Sequence, residues 1–477
     1  MNAAIRVSEC FSLAPGRNTH RAVRIALLAV VALGVSICQS RADWPLTPLY
    51  TFTNGSDGYV PQGGLTLAPD GFFYGTTLES GDGNGGTVYR LSTNGEFSVV
   101  YPFSGLADGG TPHAGLTLAS DGFLYGTTIT GGTNNSGVIF RVSTNNSFEV
   151  VHTFSNAGTN DGYAPNAPLV QATDGWLYGT TAQGGVNSVG NIFRVSPEGE
   201  ITNLYSFSGE EGYEPMAPLF QASDGNFYGT AALGGSNNMG TIFKMTPAGV
   251  LTPLYAFSAA PNLTNLDGTQ PLGGLVQGGD GALYGVTSGG GTFNGGTIYR
   301  ITTNGAFSVI HSLDLNLEGA DSSASLIVGS DGKMYGTTQY SGPAGNGSVF
   351  QVTTNGAVRL LYSFVGGNFG DGGSPSGTVA WGRDGYLYGA TPGQVDYKLI
   401  NPNPPGERPM LVLTNKPARG TVAVSGRTGW IFRIFASTDL SSWSAIGSVT
   451  VPDAGVADFV DTNASAFTYR FYRAVNP

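Results

Sequence analysis

The pattern Asp-Gly-x-x-Tyr-Gly occurs seven times in this chain, with its tyrosines at Tyr74, Tyr125, Tyr178, Tyr228, Tyr284, Tyr335 and Tyr388. Successive copies lie 51, 53, 50, 56, 51 and 53 residues apart, and threonine comes directly after the motif in five of them. A period near 50 means that one supersecondary unit is built and then stacked, because a lone unit cannot bury its own apolar face. The architecture is therefore read from one repeat and multiplied.

The second copy shows the unit. Gly115 to Ala119 is a short apolar run, and Asp121-Gly122 separates it from a second run, Phe123 to Thr128. Asp-Gly between apolar runs is a strong hairpin signal and predicts a two-residue turn with positive φ at both central positions. A loop of Gly, Asn and Ser comes next, then runs at Val138 to Val142 and Ser147 to Phe154 around a turn at Thr144-Asn145. Four antiparallel strands in sequence order make one blade, so the chain is expected to be all-β, a seven-bladed β-propeller over residues 43–400.

The seventh copy stops after its third run, where Asn401-Pro402-Asn403-Pro404-Pro405 ends the pattern. Pro48 to Thr53 (PLYTFT) precedes the first copy and matches the fourth-strand pattern at Leu204-Tyr205-Ser206-Phe207. The N-terminal strand is thus expected to complete blade seven, with Leu49, Tyr50 and Phe52 pairing near Tyr397. Closure of this kind hides the sheet edges that an open array would expose.

Three columns of the repeat carry polar chemistry. The hairpin aspartates Asp70, Asp121, Asp174, Asp224, Asp280, Asp331 and Asp384 are explained by turn formation. The seven tyrosines are expected to be packing wedges between blades. Third runs end in Arg90, Arg141, Arg194, Lys244, Arg300, Gln351 and Lys398, each after an aromatic residue. Such a cation is expected to lay its stem on apolar surface and pair its head with a carboxylate.

A second repeated element, acid-Gly-x-x-Pro, joins each fourth run to the next repeat. Its acids are Asp57, Asp108, Asp161, Glu211, Asp267, Glu318 and Asp371, with Ser322 in place of the sixth proline. Tyr59, Tyr163 and Tyr213 add aromatic surface in three of these loops. The loops are expected around one mouth of the central channel, which makes these ten residues the candidate ligand-binding set. The competing explanation is structural, since Asp-Gly organises a turn and Pro fixes the way into the next strand. No cofactor is expected. Calcium is the one metal considered, through hard carboxylate oxygens. The histidines beyond the leader, His113, His152 and His311, fall at different repeat positions and form no sequence cluster. No nucleophile elbow, phosphate-binding loop or distinctive acid pair breaks the sevenfold pattern, so no catalytic residue is assigned.

Arg21 and Arg24 precede an apolar stretch from Ile25 to Ile37, with Ser40-Arg41-Ala42 after it. That order reads as a secretory signal over residues 1–42. Ile37 before Cys38 is a poor match for a lipoprotein site. Both cysteines, Cys10 and Cys38, lie in this leader, which leaves no disulfide framework. Without these residues the balance is 16 basic against 31 acidic groups, a net charge of −15. Such a charge argues against a nucleic-acid partner, which needs clustered Lys and Arg. Only 11% of all residues are charged, which fits an extracellular or cell-surface location.

After a Pro-rich linker at 401–409, six strand-like runs at 410–477 predict a small β-sandwich-like module. The Tyr-Gly-Thr-Thr core, the Gly-Gly loop after it and the Gly-Thr-[Ile/Val]-[Phe/Tyr]-[Arg/Lys] strand together resemble the GloVer tandem-repeat family of bacterial exported proteins. The resemblance covers roughly residues 48 to 400. It implies a surface-directed repeat protein with varied C-terminal anchors and brings no catalytic residues with it. The function expected is that of a secreted or cell-surface binding or structural module, a monomer whose partner is an extracellular glycan or surface protein, with no transmembrane helix after signal cleavage. The alternative is a carbohydrate-active enzyme, a glycan hydrolase or lyase, on the same scaffold.

Overall fold

The computed structural model describes residues 44–400, apart from segments 156–160, 260–264 and 367–369 and position 394, and six strands between 410 and 475. The expected leader (1–42) and linker (401–409) lie outside the described residues. From 44 to 400 the chain forms seven small antiparallel sheets. Blade two is representative, with strands Thr117–Leu118, Leu124–Thr128, Val138–Val142 and Phe148–Thr153 paired in that order. The inner strand of every blade is only two residues long, shorter than the apolar run predicts. Blade one has a fifth strand, Tyr59–Pro61, whose Tyr59 sits opposite Glu79.

The hairpin differs from the expected two-residue turn. In blade one Gly71 N–H donates to Ala68 C=O at 3.1 Å and Ala68 N–H donates to Phe72 C=O at 2.9 Å. That is a three-residue loop in which the glycine alone is left-handed, with Gly71 at φ 88. The aspartate spends its side chain on the turn instead: Asp70 Oδ1 accepts Phe72 N–H at 3.1 Å. All seven hairpins repeat this aspartate-to-backbone bond. A side-chain acceptor two residues back stabilises an ordinary right-handed Asp, so only glycine needs positive φ.

The ring closes as the sequence predicts. Leu46–Thr51 is the outer strand of blade seven, with Pro48 opposite Tyr397 and Tyr50 opposite Asp396. Leu49 is the residue bulged out between them, and Phe52 lies just past the strand. Phe52 is fully buried and stacks edge-on against Tyr89 of blade one. The N-terminal segment also reaches blade six: Trp44 N–H donates to Leu361 C=O at 3.2 Å, and its ring packs against Tyr335.

The core is divided among the seams between blades. Seven apolar clusters among the described residues each draw side chains from neighbouring blades; the closing seam joins Phe52, Leu65, Phe73, Tyr89, Tyr386 and Tyr388. The seven motif tyrosines are buried here as wedges. The glycine after each tyrosine has a steric cause. A Cβ at Gly75, Gly126 or Gly389 would collide with the third-strand ring of Tyr89, Phe140 or Tyr397. The wedge and the flat position beside it are one packing device.

Beyond 410, Met410–Leu413, Thr421–Ser425 and Val456–Val460 form one three-stranded antiparallel sheet, and Ile431–Ser437, Ser444–Thr450 and Phe471–Val475 form another. Six strands were expected in these places. The side chains of the module's aromatic residues Trp430, Phe432, Phe435, Trp443, Phe459 and Phe471 lie outside the described residues.

Candidate functional site

Alternating strand directions place the loops between second and third strands on the same face as the links from outer strands to the next blade. On that face each of the seven loop acids is held by its own loop and outer strand. Asp57 accepts Thr53 N–H and Thr53 Oγ1 at 2.7 Å each, Gly55 N–H at 3.1 Å and Tyr50 OH at 3.0 Å. Asp108 takes Tyr101 OH at 3.0 Å and Ser104 N–H at 2.9 Å. Asp267 takes Tyr255 OH at 2.7 Å and Ser258 N–H at 2.9 Å, and Asp371 takes Tyr362 OH at 2.9 Å and Val365 N–H at 2.8 Å. Glu211 accepts Ser208 Oγ at 2.7 Å, and Glu318 accepts Asp314 N–H at 2.9 Å. Asp161 lies 3.3 Å from His152 Nε2, and Glu318 lies 3.8 Å from His311 Nε2. His152 and His311 thus occupy the fourth-strand tyrosine position and face the same acid.

These contacts set the protonation of the loops. Burial pushes the Asp57, Asp108 and Glu211 carboxyls up, but the hydrogen bonds from their loops and tyrosines outweigh it and leave each below its usual range. Burial and the Asp57 bond together push Tyr50 up to about 12. Burial lowers His152, partly opposed by Asp161. Tyr59 pairs with Glu79, Tyr163 bridges to Gln183 and Tyr213 bridges to Leu233, with Tyr213 OH donating to Asn238 Oδ1 at 2.9 Å. The ten residues share a face but do not converge. Among the described residues, no group of three His, Cys, Asp or Glu side chains is placed to hold a metal ion.

The residue before each proline, or before Ser322 in the sixth link, is left-handed without being glycine. Val60, Thr111, Ala164, Glu214, Gln270, Asp321 and Ser374 all have φ between 53 and 58. Such backbone costs of order 1–3 kcal/mol where nothing relieves it. Here backbone hydrogen bonds to two blades hold it: Thr111 N–H donates to Gly85 C=O at 2.8 Å, and Ile129 N–H donates to Thr111 C=O at 3.2 Å. The same pair of bonds recurs at Ala164, Glu214 and Gln270. Nothing in residue type announced this position, since only the proline after it repeats.

Immediately after the proline position lies a ring of residues that sequence reasoning missed. Gln62, His113, Asn166, Met216, Leu272, Ser323 and Ser376 each begin the descent into an inner strand, and together they line a cavity of about 340 Å³ at the mouth of the central channel. None of the seven loop acids lines it. The next residue is small in every repeat (Gly63, Ala114, Ala167, Ala217, Gly273, Ala324, Gly377), and at four of them (Ala114, Ala167, Ala217 and Gly273) its carbonyl accepts from the threonine of the preceding blade's Tyr-Gly-Thr. Thr76 Oγ1 donates to Ala114 C=O at 3.0 Å, and Thr230 Oγ1 donates to Gly273 C=O at 3.2 Å. Around most of the mouth the backbone is held by the same bonds while the side chain displayed on it differs from blade to blade. The only signal was a column that refuses to repeat.

The mouth is two-sided. Met216 and Leu272 are consecutive around the ring and, with Pro168 and Pro218, make an apolar arc. Ser323, Ser376, Gln62, His113 and Asn166 make a polar one, with Asp321 and Gln339 behind it. Asn166 Oδ1, Asp321 Oδ1 and Ser376 Oγ are buried atoms with no hydrogen-bond partner in the protein. Burial raises the Asp321 carboxyl. Burial also lowers His113, whose ring is hydrogen-bonded to the Asn166 backbone. Among the described residues, no lysine or arginine lines the cavity.

The opposite face carries the hairpins, and there the motif explains itself. Each motif tyrosine donates its OH to its hairpin aspartate four residues back, at 2.6–2.9 Å in all seven blades. The third-strand cation sits opposite that tyrosine and pairs with the same carboxylate in Lys244–Asp224 (3.2 Å), Arg300–Asp280 (3.0 Å) and Lys398–Asp384 (2.8 Å). Arg141 instead pairs with Glu149 and lies over the Phe123 ring.

Seven antiparallel blades closed by the N-terminal strand, with hydrogen bonds between blades repeated at most seams, define a seven-bladed β-propeller. Residues 61–263 and 258–398 match the Gloeobacter/Verrucomicrobia repeat, and the chain belongs to that family. This is the GloVer resemblance carried by its motifs. No curated protein matches the chain. Among solved structures it is similar to a gluconolactonase from Xanthomonas campestris, at 14% identity and TM-score 0.40, covering 82% of this chain and 96% of that one. A chain of the mitotic checkpoint complex is similar at 14% identity and TM-score 0.49, covering 83% and 99%. The WD40 propeller domain of Doa1 is similar at 13% identity and TM-score 0.45, covering 75% and 97%. At such identities these are likenesses of architecture, and functional argument falls to this chain's own residues.

Proposed function

We propose that this protein is an exported propeller that acts as a binding module, taking its ligand on the loop face and at the mouth of the central channel. The observation that carries this reading is the contrast between two kinds of position. Wherever a side chain supports the ring, the repeat is nearly uniform; at the mouth, seven equivalent positions hold six residue types, from His113 to Leu272. Scaffold demands are the same in every blade, so a varied column whose side chains all line one cavity marks a surface free to answer to something outside the chain. An extracellular glycan or a surface protein suits a cavity with both a polar and an apolar arc. The loop acids and Tyr59, Tyr163 and Tyr213 then form the wider rim of that face, and no cofactor is required.

The enzymatic alternative has less support in the same site. Hydrolysis of a glycosidic bond ordinarily uses two carboxyl groups, one as acid and one as base or nucleophile. Among the described residues lining the cavity only Asp321 supplies one. The test is a glycan array probed with the purified chain, then a hydrolysis assay on every glycan that binds. Binding without turnover is the expected result. Turnover that is lost in Asp321→Asn would replace the module with an enzyme.

A further inference from the structure

The reading as a binding module leaves the ligand's chemistry open, and the mouth cavity narrows it. Its polar arc presents atoms that the fold leaves unsatisfied. Asn166 Oδ1, Asp321 Oδ1 and Ser376 Oγ come from three different blades, are buried without a partner in the protein, and line one space. Leaving a buried polar atom unpaired costs about 1–3 kcal/mol. Other buried atoms of the chain are unpaired too, as at Tyr299 and Asp396, but those lie inside packed blades, whereas these three open on one cavity. Three orphans at one cavity are therefore atoms waiting for an outside partner.

The rest of the lining excludes most partners. With no lysine or arginine among the described lining residues, nothing offsets the charge of a phosphate, sulfate or carboxylate brought into the cavity. A flat aromatic ligand would satisfy the arc of Met216, Leu272, Pro168 and Pro218 but would leave the opposite arc unpaired. A compact, uncharged ring with hydroxyl groups on its edge and C–H groups on one face fits both arcs. At about 340 Å³ the space stands at the lower end of the roughly 300–1,000 Å³ common for small-molecule sites. That suits one or two sugar rings and not a long chain laid across the surface.

Resting on the binding-module reading, we infer that the channel mouth is a site for the terminal residue of a neutral glycan. Its hydroxyls bond to Asn166, Asp321 and Ser376, and its apolar face lies against Met216 and Leu272. Gln62 and Gln339 supply amide groups that both donate and accept, which matches hydroxyls of either polarity.

The experiment is isothermal titration of the full chain with glucose, galactose, mannose, N-acetylglucosamine and their methyl glycosides, beside glucuronate and glucosamine. Saturable binding of at least one neutral sugar is expected, with glucuronate silent. Asn166→Leu, which copies Leu272 from the equivalent position, and Met216→Trp, which fills the space without removing a hydrogen-bonding group, should each weaken binding at least tenfold. Melting temperatures of both variants report that the ring is intact. Neutral sugars whose affinity both variants leave unchanged would overturn the site while the module survives. Glucosamine bound most tightly, and lost in Asp321→Ala (the residue found at position 164), would overturn the neutral ligand in favour of an amine. A chain that captures a surface protein but no sugar refutes this inference alone, whereas sugar that binds at the mouth and is hydrolysed refutes the non-enzymatic reading alone.

Discussion

Asp396 offers the sharpest quantitative test of how the ring is held closed. It occupies a third-strand position that is Val88, Ile139, Ile192, Ile242, Ile298 and Val349 in the other blades. Like those residues it is fully buried. Tyr89 OH from blade one donates to its Oδ1 at 3.1 Å, and its Oδ2 has no partner in the protein. It faces Tyr50 of the N-terminal strand across the sheet, so it stands at the closing seam. Burial raises this carboxyl from its ordinary 3.8 to about 8, with the Tyr89 bond only partly opposing. The folded protein therefore keeps a proton at pH 5–7 that the unfolded chain has released. Stability tied to this proton is fully present below about pH 4 and is lost as pH rises toward 8. Each pH unit within that window is worth about 1.4 kcal/mol, so from pH 5 to pH 8 the loss is on the order of 4 kcal/mol.

Asp396→Val restores the residue found at 349 and removes the titration. It also leaves Tyr89 OH unpaired, at a cost of about 1–3 kcal/mol. The pair Asp396→Val with Tyr89→Phe removes both groups and should be the more stable variant. The assay is urea unfolding at pH 5 and pH 8 for the natural chain and both variants. The informative quantity is the difference between variant and natural chain, since every other titration cancels. That difference should favour the variants by about 4 kcal/mol more at pH 8 than at pH 5. The same difference at both values would mean that Asp396 is ionised in the folded state or titrates as it does unfolded, and the burial argument fails.

The same geometry bears on other perturbations. Deleting residues 43–53 removes the outer strand of blade seven together with Trp44 and Phe52, and calorimetry should show a large drop in melting temperature; an unchanged value would refute closure. Tyr178→Phe gives up one hydrogen bond to Asp174 and should cost about 1–2 kcal/mol, while Asp174→Ala also leaves Tyr178 OH unpaired and should cost more. Asp57→Ala cuts four hydrogen bonds and should cost roughly 2–4 kcal/mol. Because the folded Asp57 carboxyl is held low, its contribution is present above the unfolded value near 4 and disappears as pH falls below it. The acid unfolding midpoint should accordingly move less in the variant than in the natural chain. A chelator should leave the melting temperature unchanged, since the loop carboxylates are occupied by their own backbone; a fall of several degrees would restore the calcium hypothesis.

Much of this fold was legible because the repeat states its rules seven times. Asp-Gly marked the hairpins, the acid-Gly-x-x-Pro links marked the blade boundaries, and Leu49-Tyr50-Thr51-Phe52 matched a fourth strand that the seventh copy lacked. The turn type differed because a carboxylate that bonds two residues ahead stabilises a conformation that Asp-Gly alone does not disclose. The loop acids carried the site expectation because they recur around one mouth of the channel. Recurrence, though, marks what every blade needs, and Tyr50, Tyr101 and Tyr255 show what that is: an outer strand tied to the link that leaves it. Asp396 stands in the sequence as a charged residue in a column of Val and Ile. A pattern built from repeated residues passes over the single copy that departs.

The left-handed residue before each proline explains how one chain keeps both a rigid ring and a mouth free to vary. If the mouth backbone were positioned by its own side chains, each blade would need the same residue there. Instead the backbone is fixed from outside. Its N–H and C=O bond to two blades at positions such as Thr111 and Gln270, and proline locks the next φ near −65°. At four seams a threonine from the neighbouring blade then holds the carbonyl beyond, as Thr127 holds Ala167 at 3.4 Å. The residue between is left without structural duty, so histidine, methionine and serine are tolerated in turn. Glu214→Gly would relieve the local strain without touching the mouth, and should therefore change stability by no more than about 1 kcal/mol while leaving sugar affinity as it was. A change in affinity from that substitution would show that the mouth geometry depends on the strained residue itself and not on the hydrogen bonds that hold it.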